Sequence, residues 1–331
     1  MAMMIVALIA TMASAVLWHQ WRSIQVEAAE RGRAQAEWVL DGALDFARLI
    51  LREDARTGGP DGLGEQWATR LEPARLSTFL AADRNNTDDA PDAFLSGEIA
   101  DAQSRYNLRN LVATGEAAEA ELATLQRLCE QAGLPSGTAE TVAARVRAAV
   151  AAVMPPAPAS APDGGEAGTA DDAVAADAPV LPEAADQFAW LGLGAAEAAA
   201  LRRVATLLPS LTPLNVNTAD REVLAAVIGT DLASAERLVQ ARSRLKDQAF
   251  ASINEARAAL PGVTLDPRRL GVSSRFFEVR GALDIGQRAF AQYWLIERRG
   301  LDVFAIYRRR LDALEAAAVV GSPSTAAFTR P

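Results

Sequence analysis

The 331-residue sequence has one cysteine, one histidine and few aromatics (6%). The single cysteine, Cys129, excludes an internal disulfide, a zinc finger and a paired-cysteine redox site. The single histidine, His19, excludes histidine-based metal clusters. Its place at the end of an apolar run argues against a Ser-His-Asp or Cys-His device. There is no Walker loop, no Gly-x-Gly-x-x-Gly fingerprint and no activated nucleophile. Most of the chain also lacks a charge bias. Net charge is −9, but 154–200 holds eight acids and no Lys or Arg, which leaves −1 for the rest. The pI of about 4.9 therefore says little about partners.

The N-terminus lacks charge altogether. The first charged side chain is Arg22, and only Thr11 and Ser14 are polar among residues 1–18. Eighteen helical residues span about 27 Å, close to a bilayer core of roughly 30 Å, and Trp18 and Trp21 suit its interface. A cleaved signal peptide is the rival reading, with Ala13-Ser14-Ala15 as its cleavage site. The missing basic n-region favours a membrane span over 1–21. The run then continues as a helix, since no proline occurs before Pro60. Residues 22–35 are polar nearly all round, as a solvated stalk is. From Glu37, the residues Val39, Leu40, Ala43, Leu44, Phe46, Ala47, Ile50 and Leu51 share one side, while Glu37, Asp41, Asp45, Arg48 and Arg52 line the other. Gly58-Gly59-Pro60 ends the helix. The expectation is one helix of about 55 residues, roughly 80 Å long, with Gly32 as its weak point.

Residues 155–182 are rich in Pro, Ala, Gly and Asp, with few branched or aromatic side chains to repay ordering, and read as a disordered linker. Helical patterns flank it at 116–133, 138–153, 193–208, 218–228, 232–245 and 253–260. After Gly271 the period changes: 276–280, 290–299 and 303–310 alternate as strands do, with a turn at 281–287 and a hairpin at Arg299-Gly300-Leu301-Asp302. A helical block between a helix and its sheet reads as an insertion. The expected divisions are 22–57 (stalk part of the helix), 58–112 (first part of the body), 113–271 (insertion), 272–320 (terminal strands) and 321–331 (flexible tail).

Two motifs stand out. Leu214-Asn215-Val216-Asn217-Thr218-Ala219 and the pattern following it resemble the helix-hairpin-helix domain of competence DNA receptors and DNA repair proteins. In that domain, glycine turns and helix N-termini hold a phosphate. Here Gly229-Thr230-Asp231 replaces the usual Gly-x-Gly, so a carboxylate stands where a phosphate would. From 210 to 271 there are eight basic and seven acidic residues, too even a balance to drive binding by counterion release. Nucleic acid is an unlikely partner. The second motif, residues 96–111, reads as a short strand with Ile99 inward, then a turn, with Asn107 or Asn110 capping a helix that begins near Thr114.

Taken together, the N-terminal helix, the inserted block with Asn215-Val216-Asn217-Thr218-Ala219 and the terminal strands resemble the minor pseudopilin K family of bacterial type II secretion systems. The resemblance implies an α+β fold: a type IV pilin-like long helix and antiparallel sheet, with a large all-α insertion. It also implies a structural, non-enzymatic place at the tip of the pseudopilus, with minor pseudopilins I and J as partners, the chain anchored once in the inner membrane and its bulk in the periplasm. That family lacks the glutamate other pilins carry near the mature N-terminus, and here no acid precedes Glu27. Two features depart from the family: no basic leader ending in Gly precedes the apolar run, and Cys129, expected as a small core residue, has no disulfide partner. A membrane-anchored DNA-uptake receptor is the alternative function.

Three weaker signals complete the reading. Asp83, Asn85, Asp88 and Asp89 cluster oxygen ligands, and calcium is the cation the resemblance suggests. An EF-hand, however, needs Gly and Glu where Asp88 and Phe94 stand. No other cofactor is expected. Arg298, Arg299, Arg308, Arg309 and Arg310 read as protection of an edge strand. Small residues let helices approach closely in lipid, so Ala7, Ala10, Ser14 and Ala15 are the candidate face for partner helices.

Overall fold

The computed structural model describes residues 1–77, 93–153, 179–285 and 288–320. The calcium candidates Asp83, Asn85, Asp88 and Asp89, the linker residues 155–178 and the tail 321–331 lie outside them. Helix α1 (Ala2–Thr57) runs unbroken through Gly32 for 56 residues, about 84 Å, and stops before Gly58-Gly59-Pro60. Its apolar N-terminal part is uncovered by the other described residues and is long enough to cross a membrane.

A five-stranded antiparallel sheet receives the other end of α1. Its strands are β1 (Leu71–Arg75), β2 (Ala93–Asp101), β7 (Phe276–Ile285), β8 (Arg288–Arg299) and β9 (Asp302–Arg310), in the order β1-β2-β7-β8-β9. Ala36, Leu40, Leu44, Ala47 and Leu51 recur at helical spacing and pack on Leu95, Phe277, Val279, Leu283, Trp294 and Ile296, with Trp67 closing the core. Phe46, expected on this buried side, is 49% exposed. It lies at the margin of the apolar stripe, where the sheet no longer reaches. The turn expected at 281–287 is strand as far as Ile285. Gly281 sits inside β7 to make room: a Cβ there would meet the Trp294 ring at 3.3 Å and Leu40 at 3.4 Å. The end of the expected strand segment is instead helix α8 (Ala313–Val320). It lays Ala316 and Val319 on Ala282 and Ala291, across the second face of the sheet.

The insertion leaves the sheet at Asp101 and returns at Phe276. Asp101 and Phe277 are register partners on adjacent strands, so the insertion's two ends emerge side by side and the sheet closes without it. Within it lie β3 (Tyr106–Asn107), α2 (Glu116–Gln131), α3 (Thr138–Val153), α4 (Ala195–Val204), β4 (Ala205–Thr206), β5 (Leu214–Asn215), α5 (Arg221–Ile228), α6 (Leu232–Arg242), α7 (Ile253–Ala259) and β6 (Leu270–Gly271). β3 pairs with β4 and β5 with β6, both parallel. Tyr106, Leu108 and Leu111 already belong to the insertion's core, so it begins before 113. Neither Asn107 nor Asn110 caps α2, which starts after Gly115; Asn107 caps the short turn Leu108–Val112, accepting from the Arg109 N–H at 3.0 Å. Pro182 is buried and Leu181 packs on the helical core, so the folded insertion resumes by that point. Cys129 is buried in that core with its thiol pushed up to about 11 by burial, the state of a packing residue.

Candidate assembly surface and the joint that holds the insertion

Ala7, Ala10, Ser14 and Ala15 all lie on the exposed apolar part of α1. At 100° per residue, Ala7, Ala10 and Ser14 fall within about 60° of one another, and Ala15 lies about 100° from Ser14. Three of the four therefore share a face, and Ala15 flanks it. Further along the same helix Trp38 is 82% exposed, and Leu49 and Phe46 are also exposed. Trp38, Gly42 and Phe46 rim an apolar groove of about 510 Å³ between α1, β1 and β2.

The five arginines expected to protect an edge are bound to acids. Arg299 reaches Glu297 at 2.6 Å and Arg308 reaches Asp41 at 3.6 Å. Arg310 pairs with Glu37, and Arg309 bridges Asp186 (3.2 Å) and Glu315 (2.7 Å). Several of these contacts fasten β9 and α8 to α1 and to the insertion. Edge protection in β9 comes also from a bulge opposite Leu295 and Ile296. Arg298, on interior strand β8, does something else.

Arg298 is the centre of the joint between body and insertion. Its guanidinium stacks 4.8 Å over Phe277, donates to Asp54 at the end of α1, and donates to both oxygens of Asp61 at 2.6 and 2.8 Å and to the Ser274 carbonyl at 2.9 Å. Asp61 also accepts from the Ser274 N–H at 2.6 Å. The Ser274 hydroxyl donates to Asp101 at 2.6 Å. Asp101 is completely enclosed: its Oδ2 takes Asn215 Nδ2 at 2.9 Å and Thr218 Oγ1 at 2.5 Å as well, and its Oδ1 takes the Gln103 N–H at 2.7 Å. Burial pushes Asp101 above the ordinary carboxylate range against these four bonds. Burial likewise pushes Asp61 up to about 6, opposed by Arg298 and the Ser274 N–H and reinforced by Asp101. A second contact lies beside the first. The Gly64 N–H donates to the Asp247 carbonyl at 3.0 Å, and a Cβ on Gly64 would lie 2.6 Å from the Asp247 carbonyl carbon, so only glycine fits.

The asparagine motif thus has a structural explanation. Asn215 ties Asp101 to the Asp61 carbonyl (3.2 Å) while its Oδ1 accepts from the Asn217 N–H (3.0 Å). Asn217 pairs with both the carbonyl and the N–H of Phe250, at 3.1 and 2.8 Å, standing in for a backbone strand partner. The hairpin between α5 and α6 has no open anion slot: Asp231 fills the N-terminus of α6, accepting from the Ser234 N–H at 2.7 Å and its hydroxyl at 3.0 Å. Arg242 is buried, donating to the Val216 and Ala219 carbonyls at 2.6 and 2.7 Å. Asp231→Ala should lower the midpoint of a denaturant titration of the full chain, as loss of a cap does, with no salt-sensitive DNA binding in its place. Asp61 and Ser274 carry no signature in the sequence; Asp101 falls within the motif at 96–111 and Arg298 within the arginine cluster, but neither pattern, nor that at 215–219, shows that they meet.

Two family models, both described as type II secretion system protein K, match residues 104–210 and 214–273. The type II secretion system protein K of Pseudomonas aeruginosa is 27% identical over 298 residues, covering 86% of this chain and 83% of that protein. The crystal structure of the GspK-GspI-GspJ complex from the enterotoxigenic Escherichia coli type 2 secretion system contains a chain of the same fold. Its TM-score is 0.62 at 17% identity, covering 86% of this chain and 99% of that one. The matched segments are those that build the insertion, and the shared fold extends the likeness to the helix and sheet that carry it: the chain belongs to the type II secretion system protein K family.

Proposed function

We propose that this chain is a structural minor pseudopilin at the tip of the type II secretion pseudopilus, helping to initiate its assembly and protein export across the outer membrane. The observation that carries this is α1: one rigid helix, apolar and uncovered at its N-terminal end and packed on the body at the other. A free globular protein gains nothing from leaving such a surface in water. In this reading α1 crosses the inner membrane once, with the body in the periplasm. Minor pseudopilins I and J are the partners, supported by the E. coli relative solved in complex with GspI and GspJ. A tip position agrees with the missing acid before Glu27: a pilin glutamate satisfies a neighbour's N-terminal amine, and a tip subunit has no such neighbour.

The face of Ala7, Ala10 and Ser14, flanked by Ala15, docks the partner helices, because packing and not hydrophobicity drives association in lipid. Ala10→Leu and Ser14→Leu keep the span apolar, so insertion persists. Crosslinking to the partner helices in membranes should fall several-fold in both, while the body keeps its fold. Parent-level crosslinking in both variants removes the face assignment.

A further inference from the structure

The insertion and the body have separate apolar cores that share no residue among those described. The Arg105–Glu278 and Arg309–Asp186 ion pairs, the Gly64–Asp247 contact and a small apolar cluster around Ala102, Leu208 and Phe276 join them, together with the buried polar network. Its charges do not balance. Carboxylate oxygens of Asp54 on α1 and of Asp61 and Glu65 on the following loop lie within 4.8 Å of one another. Asp101 at the end of β2 reaches Asp61 through Ser274. Against Asp54, Asp61 and Glu65 stands one guanidinium, Arg298 from β8, bound to Asp54 and Asp61, while Arg105 of the insertion, paired with Glu278, faces Asp101. Arg275, on the same side, is engaged by Glu297 at 2.8 Å. Glu65 is held instead by neutral donors, the Gly62 N–H and Trp67 Nε1, and the hydrogen bonds to Asp101 also come from neutral groups: Gln103, Asn215, Thr218 and Ser274. A cavity of about 260 Å³ lined by Asp54, Asp61, Glu65 and Arg298 gives protons a path to the cluster.

We propose that this joint is a proton-operated latch: a proton on Asp61 removes the repulsion among crowded carboxylates and seats the insertion firmly on the body, and its loss loosens the joint. The titration of Asp61 up to about 6 supports the direction. A carboxyl whose folded value lies above its unfolded value contributes stability that is complete at low pH and is lost as pH rises through the folded value. Burial pushes Glu65 and Asp101 the same way. The window is therefore about pH 4 to 7, with the tight form on the acid side.

Hydrogen exchange of the full chain in detergent, corrected for intrinsic exchange rates, tests this at pH 5.2 and 7.5. Peptides covering 215–218 and 274–277 should be on the order of five- to tenfold better protected at pH 5.2. Peptides from the α2–α3 core should not change. Asp61→Asn should abolish the difference and hold the joint at the acid-form protection at both pH values. If that variant does not fold, carboxyl-carbon NMR of the parent serves instead, with Asp61 titrating near 6 in step with joint protection. Flat or falling protection on acidification, a pH response that survives Asp61→Asn, or an Asp61 midpoint below 4 overturns the latch.

Discussion

Arg298→Met is expected to destabilise the full chain by about 3–5 kcal/mol at neutral pH, the cost of removing one partner from a buried ion pair. Asp61 is 2% exposed and would be left with only the Ser274 N–H, while Asp54 loses its guanidinium. The methionine stem fills much of the same volume over Phe277, so packing is kept and charge is what changes. The penalty should shrink as pH falls from 7.5 to 5, because protonating Asp61 removes the uncompensated charge. Adding Asp61→Leu to Arg298→Met should recover part of the loss, since an apolar pair of similar volume often matches a buried ion pair. Urea titrations of parent, single and double variants at both pH values give all of these numbers. Equal loss at pH 5 and 7.5 would mean that the cost is steric.

The second large effect is expected in the contact between helix and sheet. Trp294 is 1% exposed and packs over Gly281 beside Leu40 of α1. Trp294→Ala should cost about 3–5 kcal/mol, the range for truncating a large buried aromatic, and should loosen α1 from the sheet. Phe46→Ala, on the same helix, should cost less than about 0.5 kcal/mol, because Phe46 is half exposed. Denaturation of both variants separates a residue of the core from one at the stripe's margin. Comparable losses would place Phe46 in the core after all, as its spacing alone implied.

That contrast shows what the sequence could reveal. Helical period identifies Leu40, Leu44, Ala47 and Leu51 as inward because each lies near the centre of the stripe. Phe46 lies at its edge, and the width of the opposing sheet, which no local pattern encodes, decides its exposure. The ends of α1, the helices of the insertion and the hairpin at Gly300 were legible because proline, glycine and periodicity act within a few residues. The strand through Gly281 was not, because that glycine serves Trp294 and Leu40, both distant in sequence. The joint was hidden for the same reason. Asn215 belongs to a visible motif and Arg298 to a visible arginine cluster, Asp61, Asp101 and Ser274 are unremarkable polar residues, and only the return of the insertion to the sheet beside Asp101 brings the five together. The arginine-rich hairpin was read by composition alone, which could not foresee that Glu37, Asp41, Asp61, Asp186 and Glu315 would answer those charges.

Isolation of the full chain from detergent-solubilised membranes, with minor pseudopilins I and J expressed alongside it, tests the assembly role most directly. A stable complex of the three proteins is expected, with crosslinks from cysteines placed at Ala7, Ala10 or Ser14 to the N-terminal helices of the partners. Recovery of this chain alone, folded and membrane-bound but without partners or crosslinks, would contradict it.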